Sequence, residues 1–256
     1  MNKTIYALGF FDGVHIGHAA LLDRCKTLAR EENYRAGVVT FAAHPDTLVL
    51  GNTPPLINTP YDREKLLRER FSMEQVVTLP FDEQMRDQPP ECYVGELVRR
   101  LHPKAVVCGY NHSFGAGGSG SPALLQALGA ALGFQVSVVP PITLHGQEVS
   151  STAIRQKLAQ GDVSGARALL GRPYSRRVEL THGENEWSLR LLDEEKQGLP
   201  AGKYRCVFSA GEQSLPVTVL LNGETDGRLL LSGEEPSLQK SLNEGRGRLF
   251  FWQAAK

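Results

Sequence analysis

The run Gly9-Phe10-Phe11-Asp12-Gly13-Val14-His15-Ile16-Gly17-His18 limits this chain more than any other stretch. Before it, Thr4 to Leu8 is a short apolar segment that reads as a buried strand. After it, Leu21, Leu22, Cys25, Leu28 and Ala29 recur at helical spacing. The run therefore joins a strand to a helix N-terminus, where free backbone N–H groups and the helix dipole favour an anion. Gly9, Gly13 and Gly17 let the backbone turn sharply and approach a ligand. His15 and His18, three residues apart, can act on one anion from the helix entrance. The plain alternative is a tight turn with solvated or capping histidines. Three glycines between a strand and a helix favour a phosphate cradle flanked by two imidazoles.

At 256 residues there is room for one large domain or two modest ones. Lys plus Arg (28) balance Asp plus Glu (28), so no general electrostatics toward nucleic acid or membrane is implied, and any positive potential is local. Neither partner is expected, and self-association into a homo-oligomer stays open. Cys25, Cys92, Cys108 and Cys206 form no C-x-x-C pair and sit in apolar contexts, which predicts buried thiols in a reducing cytoplasm. There is no charged segment followed by a signal-like apolar run, and no apolar stretch of about eighteen residues. A cytosolic protein is expected.

Up to about residue 140 strands and helices alternate. Ala36–Phe41, Gln75–Leu79, Ala105–Cys108 and Gln135–Val139 read as further strands. Between them, Tyr61–Phe71 reads as an amphipathic helix with Leu66, Leu67 and Phe71 inward and Asp62 as its cap. Glu91–Leu101, with Pro89 and Pro90 suited to its start, and Pro122–Leu132 read as two more. Five short apolar strands separated by helices predict a Rossmann-like, doubly wound parallel α/β sheet. On such sheets ligands bind beyond the strand carboxyl ends at the switch point, where the opening loop would lie. A helix pair, Ser150–Ala159 and Val163–Leu170, follows. From Val178 onward the runs RCVFSA, PVTVLL, RLLLS and RLFFW alternate with turn residues, predicting a small antiparallel, barrel-like β domain that takes Trp187 and Trp252 into its core or rim. The boundary is placed at residues 172/173.

Val149-Ser150-Ser151-Thr152-Ala153-Ile154-Arg155 sets hydroxyls at a helix start and an arginine one turn in. Ser150 or Ser151 can cap that helix, and Arg155 has the planar fork that suits polyphosphate. Gly109-Tyr110-Asn111-His112-Ser113-Phe114-Gly115 follows the fourth strand, and Phe41-Ala42-Ala43-His44-Pro45 follows the second. Gly115–Gly120 satisfies G-x-G-x-x-G, but it does not follow its strand directly and no acidic residue lies about twenty positions on, so it reads as a flexible glycine loop. No cluster has zinc spacing, no protein-held metal is expected, and there is no G-x-S-x-G or Walker A run.

Gly9–His18 closely resembles the H-x-G-H signature of nucleotidyltransferases, and in its full form the prokaryotic FAD synthetase family, which joins an FMN adenylyltransferase to a riboflavin kinase. Ser150–Arg155 resembles that family's I-S-S-T-x-I-R element, Gly109–Gly115 its G-x-[D/N]-F-x-F-G segment, and Phe41–Pro45 its F-D-P-H-P. Ala42, Ala43 and His112 depart from these patterns, and the glycine loop lacks the family's basic residues. The resemblance covers about residues 1–174. It implies transfer of AMP from ATP to FMN, giving FAD and pyrophosphate, with Mg²⁺ accompanying the triphosphate. His15, His18 and Arg155 would be catalytic. Gly9, Phe10, Phe11, Gly13, Gly17, Ser150, Ser151 and Thr152 would join them around ATP; Phe41, His44, Pro45, Asn111 and Phe114 would line the FMN side. Beyond residue 174, the family's P-T-A-N is replaced by Trp187–Asp193 and its later glutamate base has no counterpart, so riboflavin kinase activity is expected to be lost. Two alternatives remain at this stage. One is a related H-x-G-H enzyme acting on nicotinamide mononucleotide or phosphopantetheine, and the other is a non-catalytic flavin- or nucleotide-binding regulator. An aminoacyl-tRNA synthetase is disfavoured because no K-M-S-K-S-like segment is present.

Overall fold

The structure, a computed structural model, describes residues 3–183, 186–223, 225–230 and 245–255. Two compact units emerge: Met1–Pro54 with Pro60–Val149, and Pro55–Thr59 with Ser150–Lys256.

The first unit contains β1 (Thr4–Leu8), α1 (Ile16–Glu31), β2 (Arg35–Phe41), α2 (Asp46–Val49), α3 (Pro60–Lys65), β3 (Gln75–Leu79), α4 (Glu83–Asp87), α5 (Pro90–Leu101), β4 (Ala105–Gly109), α6 (Pro122–Leu132) and β5 (Gln135–Val139). A two-stranded ribbon of β6 (Thr143–Leu144) and β7 (Gln147–Glu148) follows. The sheet runs β3-β2-β1-β4-β5 and all four pairings are parallel. The chain winds outward from β1 to β3 and then crosses to β4, so the switch point lies between β1 and β4. Both faces are covered, which is why β1 is buried along its whole length. On one face Leu22 and Cys25 of α1 pack with Leu67 and Met73; on the other, Tyr93, Val94 and Leu97 of α5 pack with Leu125 of α6.

The expected helix over Tyr61–Phe71 is instead α3 followed by a π-helical turn, Leu66–Arg70. Leu66, Leu67 and Phe71 do face the core, but Asp62 lies within the helix and is buried together with Arg63. The cysteine expectation needs one correction. Cys25, Cys108 and Cys206 are buried, whereas Cys92 is exposed, because α5 turns Tyr93, Val94 and Leu97 inward and leaves position 92 outside.

The second unit opens with α7 (Ser151–Ala159) and α8 (Val163–Leu170), followed by β8 (Tyr174–His182), β9 (Trp187–Leu191), β10 (Gly202–Ala210), β11 (Gln213–Leu221), β12 (Asp226–Leu230) and β13 (Gly245–Ala254). The strands close as β10-β11-β12-β9-β8-β13, so the barrel has no free edge to pair with another chain. Burial alternates along them, as in β9, where Trp187, Leu189 and Leu191 point in and Ser188 and Arg190 point out. The last two residues of the RLLLS run, 231–232, lie outside the described residues. Trp187 is buried, while Trp252 is 42% exposed and lies under the Arg167 guanidinium.

The helix pair groups with the barrel, upstream of the expected boundary at 172/173. Val163, Ala166, Leu169 and Leu170 are buried, α8 packs on β8 and β13, and Ser164 Oγ donates to the Trp252 carbonyl. Pro55–Thr59 is held by this unit as well. Leu56 N–H donates to the Glu195 carbonyl at 2.8 Å, Gln197 N–H to the Leu56 carbonyl at 2.7 Å, and Arg172 Nη2 to Asn58 Oδ1 at 2.9 Å.

Candidate active site

The loop between β1 and α1 leaves the carboxyl end of β1, on one side of the switch point. Gly9 N–H donates to the Val39 carbonyl at 3.2 Å, and Thr40 Oγ1 donates to the Phe10 carbonyl at 2.9 Å, so β2 holds the loop's first turn. Gly13 has φ 80°, which glycine adopts freely; Phe11 (60°) and Val14 (36°) share that region without glycine's freedom. Such positions cost about 1–3 kcal/mol each and persist where packing over-determines them. Phe11 and Val14 belong to the core cluster around Leu22 and Cys25. Phe11, expected at the nucleotide, is thus only 1% exposed, with its ring 5.1 Å from that of His18.

His15 caps α1: its Nδ1 accepts from the His18 N–H at 3.2 Å. A nitrogen that accepts carries no proton, so the neutral ring holds its hydrogen on Nε2. The His15 and His18 rings stack with centroids 3.6 Å apart and planes 14° from parallel. Gly17 makes room for this stack, since a Cβ there would lie 3.1 Å from the His15 ring. Two imidazoles are thus fixed at the N-terminus of a sixteen-residue helix, where anions are favoured.

Beside them, at the end of β2, stand Phe41, His44 and Pro45, all half-buried. The His44 ring meets Phe10 edge-on at 4.6 Å, its Nδ1 accepts from the Asp46 N–H at 3.2 Å, and Phe41 meets Phe81 edge-on at 5.3 Å. Sequence reasoning missed Arg63, which reaches into this corner and packs over Phe10. Within Asp62-Arg63-Glu64-Lys65 it looks solvated, but it precedes Leu66 and Leu67 by three and four positions, the helical spacing of the inward face.

After β4, Asn111 is exposed, and Phe114 is 7% exposed with its ring packed between Tyr93 (5.7 Å) and His112 (5.6 Å). Phe114 and Gly120 exchange two backbone hydrogen bonds, closing the glycine run into a compact turn with Gly115, Gly117 and Gly118 at positive φ. His112 Nε2 is buried and makes no hydrogen bond among the described residues, and burial lowers the ring's pKa to about 4. The unfolded ring binds a proton near its ordinary value of about 6.5, and the folded ring resists until about 4. Stability should therefore fall as the pH drops from about 6.5 to about 4. His112→Phe should lose less melting temperature than the unaltered chain between pH 7.5 and pH 5; equal losses would exclude His112 as the source.

The remaining expected phosphate ligands belong to the second unit. Ser150 is the N-cap of α7, its Oγ accepting from the Ala153 N–H at 3.2 Å; Ser151 is half-buried, Thr152 is exposed, and Arg155 Nε donates to the Pro55 carbonyl at 2.8 Å. Among the described residues no three His, Cys, Asp or Glu side chains are grouped to hold a metal, and no helix is long and apolar enough to cross a membrane.

The family model for FAD synthetase matches residues 1–153, more than half of the chain. The chain belongs to the FAD synthetase family. The match takes in the histidine loop, the Asn111–Phe114 segment and the start of α7. The chain is 32% identical over 186 residues to the bifunctional riboflavin kinase/FMN adenylyltransferase of Listeria monocytogenes, and 34% identical over 178 residues to that of Haemophilus influenzae. These alignments cover 72% and 69% of this chain but 58% of each relative, so the chain spans under two thirds of their length. Among solved structures, one described as a macrolide-efflux protein from Streptococcus pneumoniae superposes with a TM-score of 0.86 over 100% of this chain and 86% of that one. At 22% identity, that likeness shows a shared fold, the parallel sheet followed by the barrel.

Proposed function

We propose that the chain is an FMN adenylyltransferase. An FMN phosphate oxygen attacks the α-phosphorus of ATP, the new P–O bond gives FAD, and the bond to the β-phosphate oxygen breaks to release pyrophosphate. The observation that carries this reading is the stacked His15–His18 pair at the N-terminus of α1, at the switch-point end of β1 inside the FAD synthetase match. FMN brings an anionic nucleophile, so no protein nucleophile is needed, and catalysis is positioning plus charge stabilisation. His15 and His18 serve the α- and β-phosphates and the charge that grows on them. Gly9, Phe10 and Gly13 border the nucleotide, and Ser151, Thr152 and Arg155 serve the β- and γ-phosphates. Phe41, His44, Pro45 and Asn111 form the flavin side. Mg²⁺ in this reading enters on the triphosphate, held by phosphate oxygens and water. A cytoplasmic location goes with the use of ATP and FMN.

The reading includes loss of riboflavin phosphorylation. Trp187–Asp193 stands where the family carries P-T-A-N, and its one carboxylate, Asp193, is 0% exposed and held by Arg176 at 2.6 Å. Phosphoryl transfer needs metal-holding and positioning groups that this segment does not offer. Incubation with FMN, ATP and Mg²⁺ should give FAD and pyrophosphate by chromatography. Riboflavin in place of FMN should give no FMN, and nicotinamide mononucleotide or phosphopantetheine no dinucleotide product. FMN binding without pyrophosphate release would overturn the enzymatic reading, and FMN formed from riboflavin would overturn the loss of kinase activity.

A further inference from the structure

Arg63 lies in a charged stretch of α3, yet it is 2% exposed. Its guanidinium carbon sits 4.2 Å from the centre of the Phe10 ring, and its Nη2 donates to the Phe41 carbonyl at 2.5 Å. Burial pushes its pKa down, and the charge of Asp12, itself 2% exposed, acts in the opposite direction. Nη1 is buried and makes no hydrogen bond among the described residues. Desolvating a cation and leaving one donor unmatched costs stability that an apolar side chain of similar volume would not. The burden is carried at one particular place. Phe10 leaves the end of β1, Phe41 ends β2, and the far edge of Phe10 meets His44. One guanidinium therefore ties together the corner where β1, β2 and α3 converge.

We propose that Arg63 is a positioning residue for the acceptor side of the site, fixing the Phe10 ring and the carboxyl end of β2 in the arrangement that receives the flavin. This rests on the adenylyltransferase reading above. Two of the groups it organises, Phe41 directly and His44 through Phe10, lie on the flavin side, so disturbing it weakens FMN more than ATP. A planar guanidinium can stack on a ring and donate in its own plane together, which an ammonium cannot. Lysine at this position keeps the charge and loses the fork.

The test measures FMN binding by flavin fluorescence, ATP binding by calorimetry and the thermal melt, for the unaltered chain, Arg63→Met and Arg63→Lys. Arg63→Met should weaken FMN about tenfold and leave ATP within about twofold, as expected for losing a buried cation–π contact and one hydrogen bond. Arg63→Lys should fall between the two. Phe10→Leu, which removes the stacking partner without removing the arginine, should weaken FMN to the same extent, and ATP with it because Phe10 also borders the nucleotide. Combined with Arg63→Lys, it should add little to the FMN loss, and this pair carries the test should Arg63→Met fail to fold. Equal weakening of FMN and ATP in the Arg63 variants, or no change in either, overturns the positioning role while leaving adenylyl transfer standing. Absence of FMN binding to the unaltered chain overturns the functional reading itself, and this proposal with it.

Discussion

His15→Asn is expected to lower the rate of FAD formation by about 10²–10³-fold, the loss typical of removing one preorganised donor from developing negative charge. Asparagine is the informative substitution because His15 has two tasks. Its Nδ1 caps α1 by accepting from the His18 N–H, and asparagine caps helices well. Its Nε2–H is the donor, and asparagine places no group at that reach. The melt should stay close to that of the unaltered chain, while His15→Ala should lose a further ~1 kcal/mol of stability with the cap. The loss should fall on kcat more than on KM, because the charge being stabilised grows in the transition state. His18→Ala should resemble His15→Asn in rate, and the double variant should be far less than multiplicative, since the stacked rings act as a unit. A single-turnover assay with FMN and ATP checks this, and near-unaltered rates would remove the histidines from the mechanism.

The second large effect concerns the barrel. Arg176 (2% exposed), Asp193 (0%) and Lys196 (2%) form a buried ionic group. Asp193 Oδ1 accepts from Arg176 Nε at 2.6 Å, Oδ2 accepts from the Arg177 N–H at 3.0 Å, and Lys196 Nζ lies 3.7 Å from Oδ2. Arg176 Nη2 also donates to the Asp193 carbonyl, and Lys196 Nζ to the Ser175 carbonyl. Asp193→Ala should destabilise the second unit by about 3–5 kcal/mol, because it leaves two buried cations without their carboxylate. Urea denaturation followed by the fluorescence of Trp187 and Trp252, both in this unit, measures this, and a loss below about 1 kcal/mol would mean that water reaches the cations. Arg176→Met, Asp193→Leu and Lys196→Met together should lose less than Asp193→Ala, because the combined change removes all three charges whereas the single change leaves two cations without their carboxylate.

Much of the first unit could be read from local pattern. β1, β3 and β5 have the expected ends because short apolar runs bounded by turn residues leave few alternatives. The capping of α7 by Ser150 was legible for a similar reason, a hydroxyl immediately before a periodic segment. The His15-to-His18 loop announced its place because glycine spacing and a strand–helix junction are local properties.

Other features depended on contacts distant in sequence. Arg63 looks like a solvated helix charge until Phe10 and Phe41, 53 and 22 positions away, close over it. Nothing local shows that Phe114 packs between Tyr93 and His112, or that α8 lies against strands it precedes and leaves Pro55–Thr59 bound to the second unit. Asp193 would pass for a turn residue; burial beside Arg176 and Lys196 makes it the centre of a buried ionic group. Residue order was enough for the strands, the helices and the anion-binding loop, because backbone periodicity and caps act over a few positions. Burial of charge, the protonated nitrogen of His15 and the grouping of α7 and α8 came from the folded chain, because desolvation and hydrogen bonding depend on what packs from afar.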